Sequence, residues 1–198
     1  QDMIMDEFRD EGGIDTATST NETYDSADFY HNPAGSTSTQ IAQGLGTAIG
    51  NMDGGEGSGL DACFDGDTTQ TIGEGCNVNP PAGTGNVGKD WGESETKLVT
   101  SAIVYPSSSG YCNGNADSDV ILTLQGSTDN FSSSVVELQQ ITGINSNSSG
   151  TQTFSSPVTT TAYRYHRVLL TQGTGNTTYA EVEFFADGPG STDDITLI

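Results

Sequence analysis

Five segments of one kind dominate the second half of the chain: TKLVTSAIVYP (96–106), SDVILTLQGS (118–127), SSSVVELQQI (133–141), TAYRYHRVLLT (161–171) and TYAEVEFFAD (178–187). Each is rich in β-branched and aromatic residues, and clusters of Gly, Ser, Asn and Pro separate them. That is the pattern of strands joined by turns. Val120, Leu122 and Leu124 alternate with Ile121, Thr123 and Gln125; successive side chains of a strand point to opposite faces, so this segment buries one of them. No segment holds a sustained helical period. Strands of this length with turn-rich links imply an all-β fold, an antiparallel sandwich or jelly roll.

Leu, Ile, Val and Phe make up 37 of 198 residues and the formal net charge is −22, a combination that, averaged over a chain, belongs to disordered proteins. The average conceals a division. Of those 37 residues, 22 lie in 96–186 and 12 in the first 95, so the ordered core is expected in the second half, with loop-rich, extended structure ahead of it. Residues 1–31 hold nine Asp or Glu against one Arg, with Phe8, Tyr24, Phe29 and Tyr30 scattered among them, and NPAGSTSTQ (32–40) has the composition of a linker. We therefore read 1–40 as an extended acidic arm, either solvated or docked through its aromatics on a neighbouring subunit or a preceding domain. Residues 41–187 are read as the sandwich and 188–198 as a C-terminal tail. In STDDITLI (191–198), Ile195, Leu197 and Ile198 alternate with polar residues enough to add a strand to a partner's sheet edge; the alternative is a disordered end.

Charge and composition exclude several functions. Five basic residues do not neutralise a row of phosphates, which argues against nucleic acid. The acidic excess disfavours anionic membrane surfaces, and no apolar run approaches the ~20 residues that span a bilayer. No signal peptide is visible and the chain starts at Gln1, as a processed or partial product does. Catalysis lacks its parts. His31 lies in the polar arm, and His166 lies inside a strand segment between Tyr165 and Arg167, the setting of a core or strand-face residue. No G-x-S-x-G elbow exposes a serine, and nothing marks one carboxylate of a glycosidase pair as the proton donor. The expectation is a protein that is not an enzyme. Cys63, Cys76 and Cys112 have no CxxC spacing, which argues against a zinc site. They form either one disulfide, within the Cys63–Cys76 loop, with one free thiol, or three buried unpaired thiols.

LDACFDGDTTQT (60–71) is the densest cluster of potential ligands. Hard Ca²⁺ takes about six to eight oxygens from carboxylates and from carbonyls exposed by tight turns. Gly66 permits such a turn, and Asp65, Asp67 and the Thr residues supply oxygens. The spacing is not that of an EF-hand, and on this stretch alone a metal-free Asx-turn fits equally well.

The same stretch, ACFDGDTTQT, resembles the A-x-D-G-D/N-x-x-T signature of discoidin or coagulation-factor type C domains, which are galactose-binding-like jelly rolls. Five further matches follow in the family's order: VGKDWG (87–92), TSAIVYPSS (100–108), LTLQGSTDNFSS (122–133) with Phe131 in the aromatic place, TAYRYHRVLL (161–170) and YAEVEFFA (179–186). The resemblance spans roughly 41–187 and implies a discoidin-like antiparallel β-sandwich. It also implies a structural Ca²⁺ where the first loop meets the last strand, held by the Ala62 carbonyl, Asp65, Asp67, Glu181 and the nearby Ala180 carbonyl. The family's Thr ligand, five residues after the Asp, falls on Gln70, flanked by Thr69 and Thr71; a carbonyl at 70, or a loop shifted by one residue, takes its place. Trp91 matches a structural motif, which points to core packing rather than sugar stacking. Tyr111, in the loop SSSGYCNGNADSD (107–119), is the glycan-stacking candidate, against an ordinary loop aromatic. Arg164 and Arg167 are either salt-bridged or contacts for a glycan or partner.

The front of the chain, DEFRDEGGIDTATSTNETYDSADFYHNP, is similar to acidic, Tyr-rich segments that precede galactose-binding-like domains in tail and other structural proteins of double-stranded DNA bacteriophages. The resemblances together imply a non-catalytic virion surface protein (tail, fibre or head decoration), extracellular and displayed on the particle. Its sandwich binds host or environmental glycan, and its arm contacts neighbouring capsid or tail subunits. A homo-oligomer is expected, with no coiled-coil heptad to specify its order. One alternative is a carbohydrate-binding module of a secreted bacterial glycan-active enzyme or adhesin. Another is a structural cement or spacer protein that binds no sugar.

Overall fold

The computed structural model describes residues 38–53, 59–71, 74–78, 84–113, 119–155, 157, 159–171 and 176–187. Of the expected arm only 38–40 lie within these residues, and the expected tail lies outside them. Among the described residues the chain forms β1 (Ser38–Gln40), β2 (Thr47–Gly50), a 3₁₀ turn (Leu60–Phe64), β3 (Cys76–Val78), β4 (Thr84–Asp90), β5 (Val99–Pro106), β6 (Cys112–Asn113), β7 (Asp119–Ser127), β8 (Val136–Asn145), β9 (Gln152–Phe154), β10 (Tyr165–Thr171) and β11 (Asn176–Asp187). One sheet runs β1-β11-β5-β9, with β3 and β6 also paired to β11, and the other runs β2-β4-β10-β7-β8. Every pairing between these strands is antiparallel. The fold is the all-β antiparallel sandwich expected from the alternating segments.

All five expected segments are strands: β5, β7, β8, β10 and β11. β8 begins later than expected and runs on to Asn145, with two shifts of register against β7. The last three residues of the stretch read as arm form β1, whose Ser38, Thr39 and Gln40 pair with Asp187, Ala186 and Phe185. β11 holds the first sheet together: β5 runs along it from Tyr179 to Ala186, β1 joins its C-terminal end, and β3 and β6 join its N-terminal end.

The core lies between the sheets. Val99, Ala102 and Val104 of β5 and Val182 and Phe184 of β11 form one cluster with Val87, Leu122, Leu124, Val168 and Leu170, each at most 1% exposed. Burial of each large aliphatic or aromatic side chain stabilises the sandwich by about 1.5–3 kcal/mol. Cys63 and Cys76 form a disulfide, and Cys112 remains a buried free thiol, which decides between the two possibilities left open by the sequence.

The turn between β7 and β8 is braced by one carboxylate. Asp129 accepts hydrogen bonds from the backbone N–H and hydroxyl of both Ser133 and Ser134 and from the Ser127 hydroxyl. These donors hold its carboxyl well below the usual range. The brace supports Asn130 and Phe131 at φ of 56° and 61°, a left-handed conformation uncommon for residues with a side chain. The Arg167 guanidinium lies over the Phe131 ring, 4.0 Å from its centroid.

Candidate functional site

The 3₁₀ turn buries Ala62, Cys63 and Phe64 and delivers the chain to Asp65 at its exposed end. Gly66, at φ 85°, then reverses it. The Asp67 N–H donates to Asp65 Oδ1 (2.9 Å), and the N–H and hydroxyl of Thr69 donate to Asp67 Oδ1 at 2.9 and 2.7 Å. These donors lower the Asp67 pKa. Gln70 folds back so that its Nε2 donates to Asp65 Oδ2 at 2.7 Å, and the loop closes where the N–H and hydroxyl of Thr71 donate to Glu74. The disulfide clamps the base of this loop, joining Cys63 to Cys76 at the start of β3. Gly75, beside it, leaves no room for a Cβ against the Tyr179 carbonyl.

β3 pairs Cys76 with Tyr179, which brings the next residues of β11 beneath the loop. The β11–β5 ladder shifts register between Tyr179 and Glu181, a bulge at Ala180. Glu181 is fully buried. It accepts the Gly66 N–H on Oε2 (3.3 Å) and the Gln43 amide on Oε1 (2.7 Å). Burial first, and then the charge of Asp65, push its carboxyl up to about 8. Gln43 also donates to the Val182 carbonyl (3.2 Å), and the Gln43 carbonyl accepts from Lys89 Nζ (2.8 Å). Nothing in IAQGLGTAIG (41–50) marked Gln43 as part of a site.

An open cavity of about 420 Å³ lies over this assembly, lined by Asp61, Ala62, Asp65, Asp67, Gln70 and Glu74. Of the six residues the resemblance assigned to Ca²⁺, Ala62, Asp65, Asp67 and Gln70 line the cavity, and Ala180 and Glu181 lie on the strand beneath. The Gln70 backbone carbonyl accepts the Ser108 N–H at 3.2 Å, while the side chain folds back on Asp65. Its Oε1 is buried without a hydrogen-bond donor, an acceptor in want of a partner. Among the described residues no three carboxylate, imidazole or thiol groups converge. A cation placed here would meet Asp65 and Glu181 with amide and carbonyl oxygens, hard donors whose chemistry would suit Ca²⁺ better than a soft metal.

Tyr111 is a correction. It is fully buried, its ring edges Tyr179, and its hydroxyl donates to the carbonyls of Val104 (3.1 Å) and Gly150 (2.8 Å). Burial pushes its pKa well up, and no face of the ring is available to a sugar. Trp91 is buried, and its Nε1–H donates to His166 Nδ1 at 2.9 Å. His166 is held neutral, its pKa lowered to about 3 by burial, so it is a core residue. Arg164 forms a bidentate ion pair with Asp90 (2.7 and 2.8 Å), whereas Arg167 donates to Gln125 (2.8 Å) and makes no ion pair among the described residues.

No protein-family model matches the sequence, and no curated protein matches it. Solved structures do match. A family 62 carbohydrate-binding module (CBM62) from Clostridium thermocellum Xyl5A is 26% identical, covering 75% of this chain and 97% of that one with a TM-score of 0.52. The family 32 module of C. perfringens NanJ, solved in complex with galactose, is 18% identical over 75% and 99% of the two chains, with a TM-score of 0.54. An f-lectin (fucolectin) from striped bass (Morone saxatilis) serum is 18% identical over 76% of this chain and 49% of that one, with a TM-score of 0.55. The fold is that of the discoidin-like, galactose-binding-like domains.

Proposed function

We propose that this chain is a non-catalytic glycan-binding protein whose sandwich is stiffened by a structural Ca²⁺ at the clasp between the 64–75 loop and β11. The likeness to carbohydrate-binding modules over 75% of the chain carries the reading. The inert chemistry of the interior supports it, since the one described histidine is a buried hydrogen-bond acceptor. Arg167, half-buried over Phe131 and without a carboxylate partner among the described residues, is the side chain we assign to sugar hydroxyls. Titration of galactose, fucose and their oligosaccharides by calorimetry, preceded by a glycan array, tests the reading; silence across the array leaves the structural spacer as the function.

The finer placement is the surface of a bacteriophage particle, with the acidic N-terminal segment meeting neighbouring subunits. The disulfide suits that setting, because such bonds persist outside the reducing cytosol. A secreted carbohydrate-binding module is the second reading, favoured by the 26% identity to the Xyl5A module. Neighbouring genes separate the two: capsid and tail genes select the particle, and an adjoining hydrolase selects the module.

Ca²⁺, when bound, neutralises the Asp65 and Glu181 carboxylates and ties the loop to the last strand. A thermal melt tests it, because a ligand selective for the folded state raises the midpoint. An unchanged midpoint between EGTA and saturating calcium removes the metal from this account.

A further inference from the structure

Lys89 points into the sandwich from β4 and is only 4% exposed. A buried ammonium is costly unless something compensates its charge, yet among the described residues it makes no direct ion pair. Its Nζ donates to the Gln43 carbonyl (2.8 Å) and lies 4.1 Å from the centroid of Phe64, the residue that precedes Asp65. The same Gln43 donates its side-chain amide to Glu181 Oε1 at 2.7 Å. One glutamine thus bridges a buried cation to a buried carboxylate; burial lowers the Lys89 pKa, and the charges of Asp61 and Glu181 oppose that fall.

We propose that Lys89 is the built-in counter-charge of the clasp: acting through Gln43, it compensates Glu181 from the core side, so that the loop closes over β11 without a metal. This rests on the clasp reading above and adds to it. The metal would approach from the cavity lined by Asp61, Ala62, Asp65, Asp67, Gln70 and Glu74. Lys89 and a bound cation therefore do the same electrostatic work and repel each other. Lys89 stabilises the metal-free fold and lowers its affinity for calcium.

K89M removes the charge and keeps most of the stem, and K89R keeps the charge. Thermal midpoints at pH 9, where the Glu181 carboxyl is ionised in the metal-free protein, in EGTA and in saturating calcium, with calcium affinity from calorimetry, test the inference. K89M is expected to melt well below wild type and K89R in EGTA. Calcium restores most of that loss, and affinity rises about tenfold or more, the order expected for removing one unit charge near a divalent ion at partial burial. Equal losses for K89M and K89R in EGTA, or a calcium shift in K89M no larger than in wild type, overturn it when wild type itself responds to calcium. If calcium shifts neither protein, the metal reading fails and the counter-charge is judged by the cycle of K89M with E181Q in EGTA. Losses that do not add support it, and additive losses overturn it. If K89M does not fold in either buffer, K89M/E181Q decides: recovery of the fold supports the pairing, and failure to recover overturns it.

Discussion

Residues 64–71 and 127–134 look alike as sequence, FDGDTTQT and STDNFSSS, each an aspartate in a turn followed by small polar side chains. Their structures differ in where the acceptors find donors. Asp129 draws its hydrogen bonds from Ser127, Ser133 and Ser134, so the turn is closed upon itself. Asp65 and Asp67 likewise find donors within their loop, but this loop also reaches out, giving its Gly66 N–H to Glu181 of β11, and leaves Gln70 Oε1 without a donor. An acidic turn that satisfies itself is a brace. One that stacks over a buried carboxylate with an acceptor to spare is where we propose a cation.

The first expected effect separates the two turns by their covalent chemistry. Replacing both cysteines, C63S/C76S, frees the ends of a loop closed across 13 residues. It is expected to cost about 3 kcal/mol in denaturant titration, the chain-entropy value for a loop of that size; no comparable bond ties 127–134. Wild-type stability in that variant breaks the contrast.

Next comes calcium, which at a hundred times its dissociation constant stabilises a one-site folded protein by about 2.7 kcal/mol. Melts in EGTA and calcium are expected to show this shift in wild type, lose it in D65N, and retain it in D129N, whose midpoint falls equally in both buffers. A D129N protein blind to calcium makes the two turns one system after all.

The pH dependences have opposite signs. Glu181 titrates at about 8 in the fold against an ordinary 4.5, so the folded protein holds its proton more tightly than the unfolded chain does. With calcium chelated, that stability is fully present below pH 4.5. It declines by up to about 1.4 kcal/mol per pH unit as the pH rises from 4.5 to 8, and is lost beyond. Asp129 is shifted below its ordinary 3.8, so its contribution is present above that pH and lost below it. The difference in unfolding free energy between wild type and E181Q, measured in EGTA from pH 5 to 9, isolates the first term. A flat difference contradicts it.

The smallest effect is that of R167Q, which removes a cation over the Phe131 ring, worth about 0.5–1 kcal/mol. Calorimetry is expected to show glycan affinity falling more than stability does. The reverse outcome returns Arg167 to the brace around 127–134.

The strands that were legible in the sequence are those whose own side chains carry the alternation, such as Val120, Leu122 and Leu124. β4 was not, because Thr84–Asp90 offers Val87 as its one large apolar residue and buries Lys89 beside it. The short β3, β6 and β9 exist because longer neighbours pair with them, and their residues alone do not demand it. At the clasp, Asp65 was legible in its own turn, whereas Glu181 was reached through family resemblance, which spans a separation that local pattern does not. Gln43 was missed because its role comes from a neighbour distant in sequence. Tyr111 misled because a tyrosine in a Ser-, Gly- and Asn-rich loop looks exposed, whereas its hydroxyl is claimed by carbonyls of two other segments.

β11 pairs with β1, β3, β5 and β6, and it is the last strand of the described chain to leave the ribosome. Until about residue 187 has emerged, β1, β3 and β6 have no partner in their sheet, β5 has only the short β9, and the clasp lacks its carboxylate. The second sheet is complete once β10 has appeared. The growing chain therefore carries one finished sheet with an uncovered apolar face, and waits for the dozen residues of β11 to cover it. Non-local pairing of this kind is slow and exposed to misassociation, and a terminator placed anywhere upstream of β11 leaves that face uncovered.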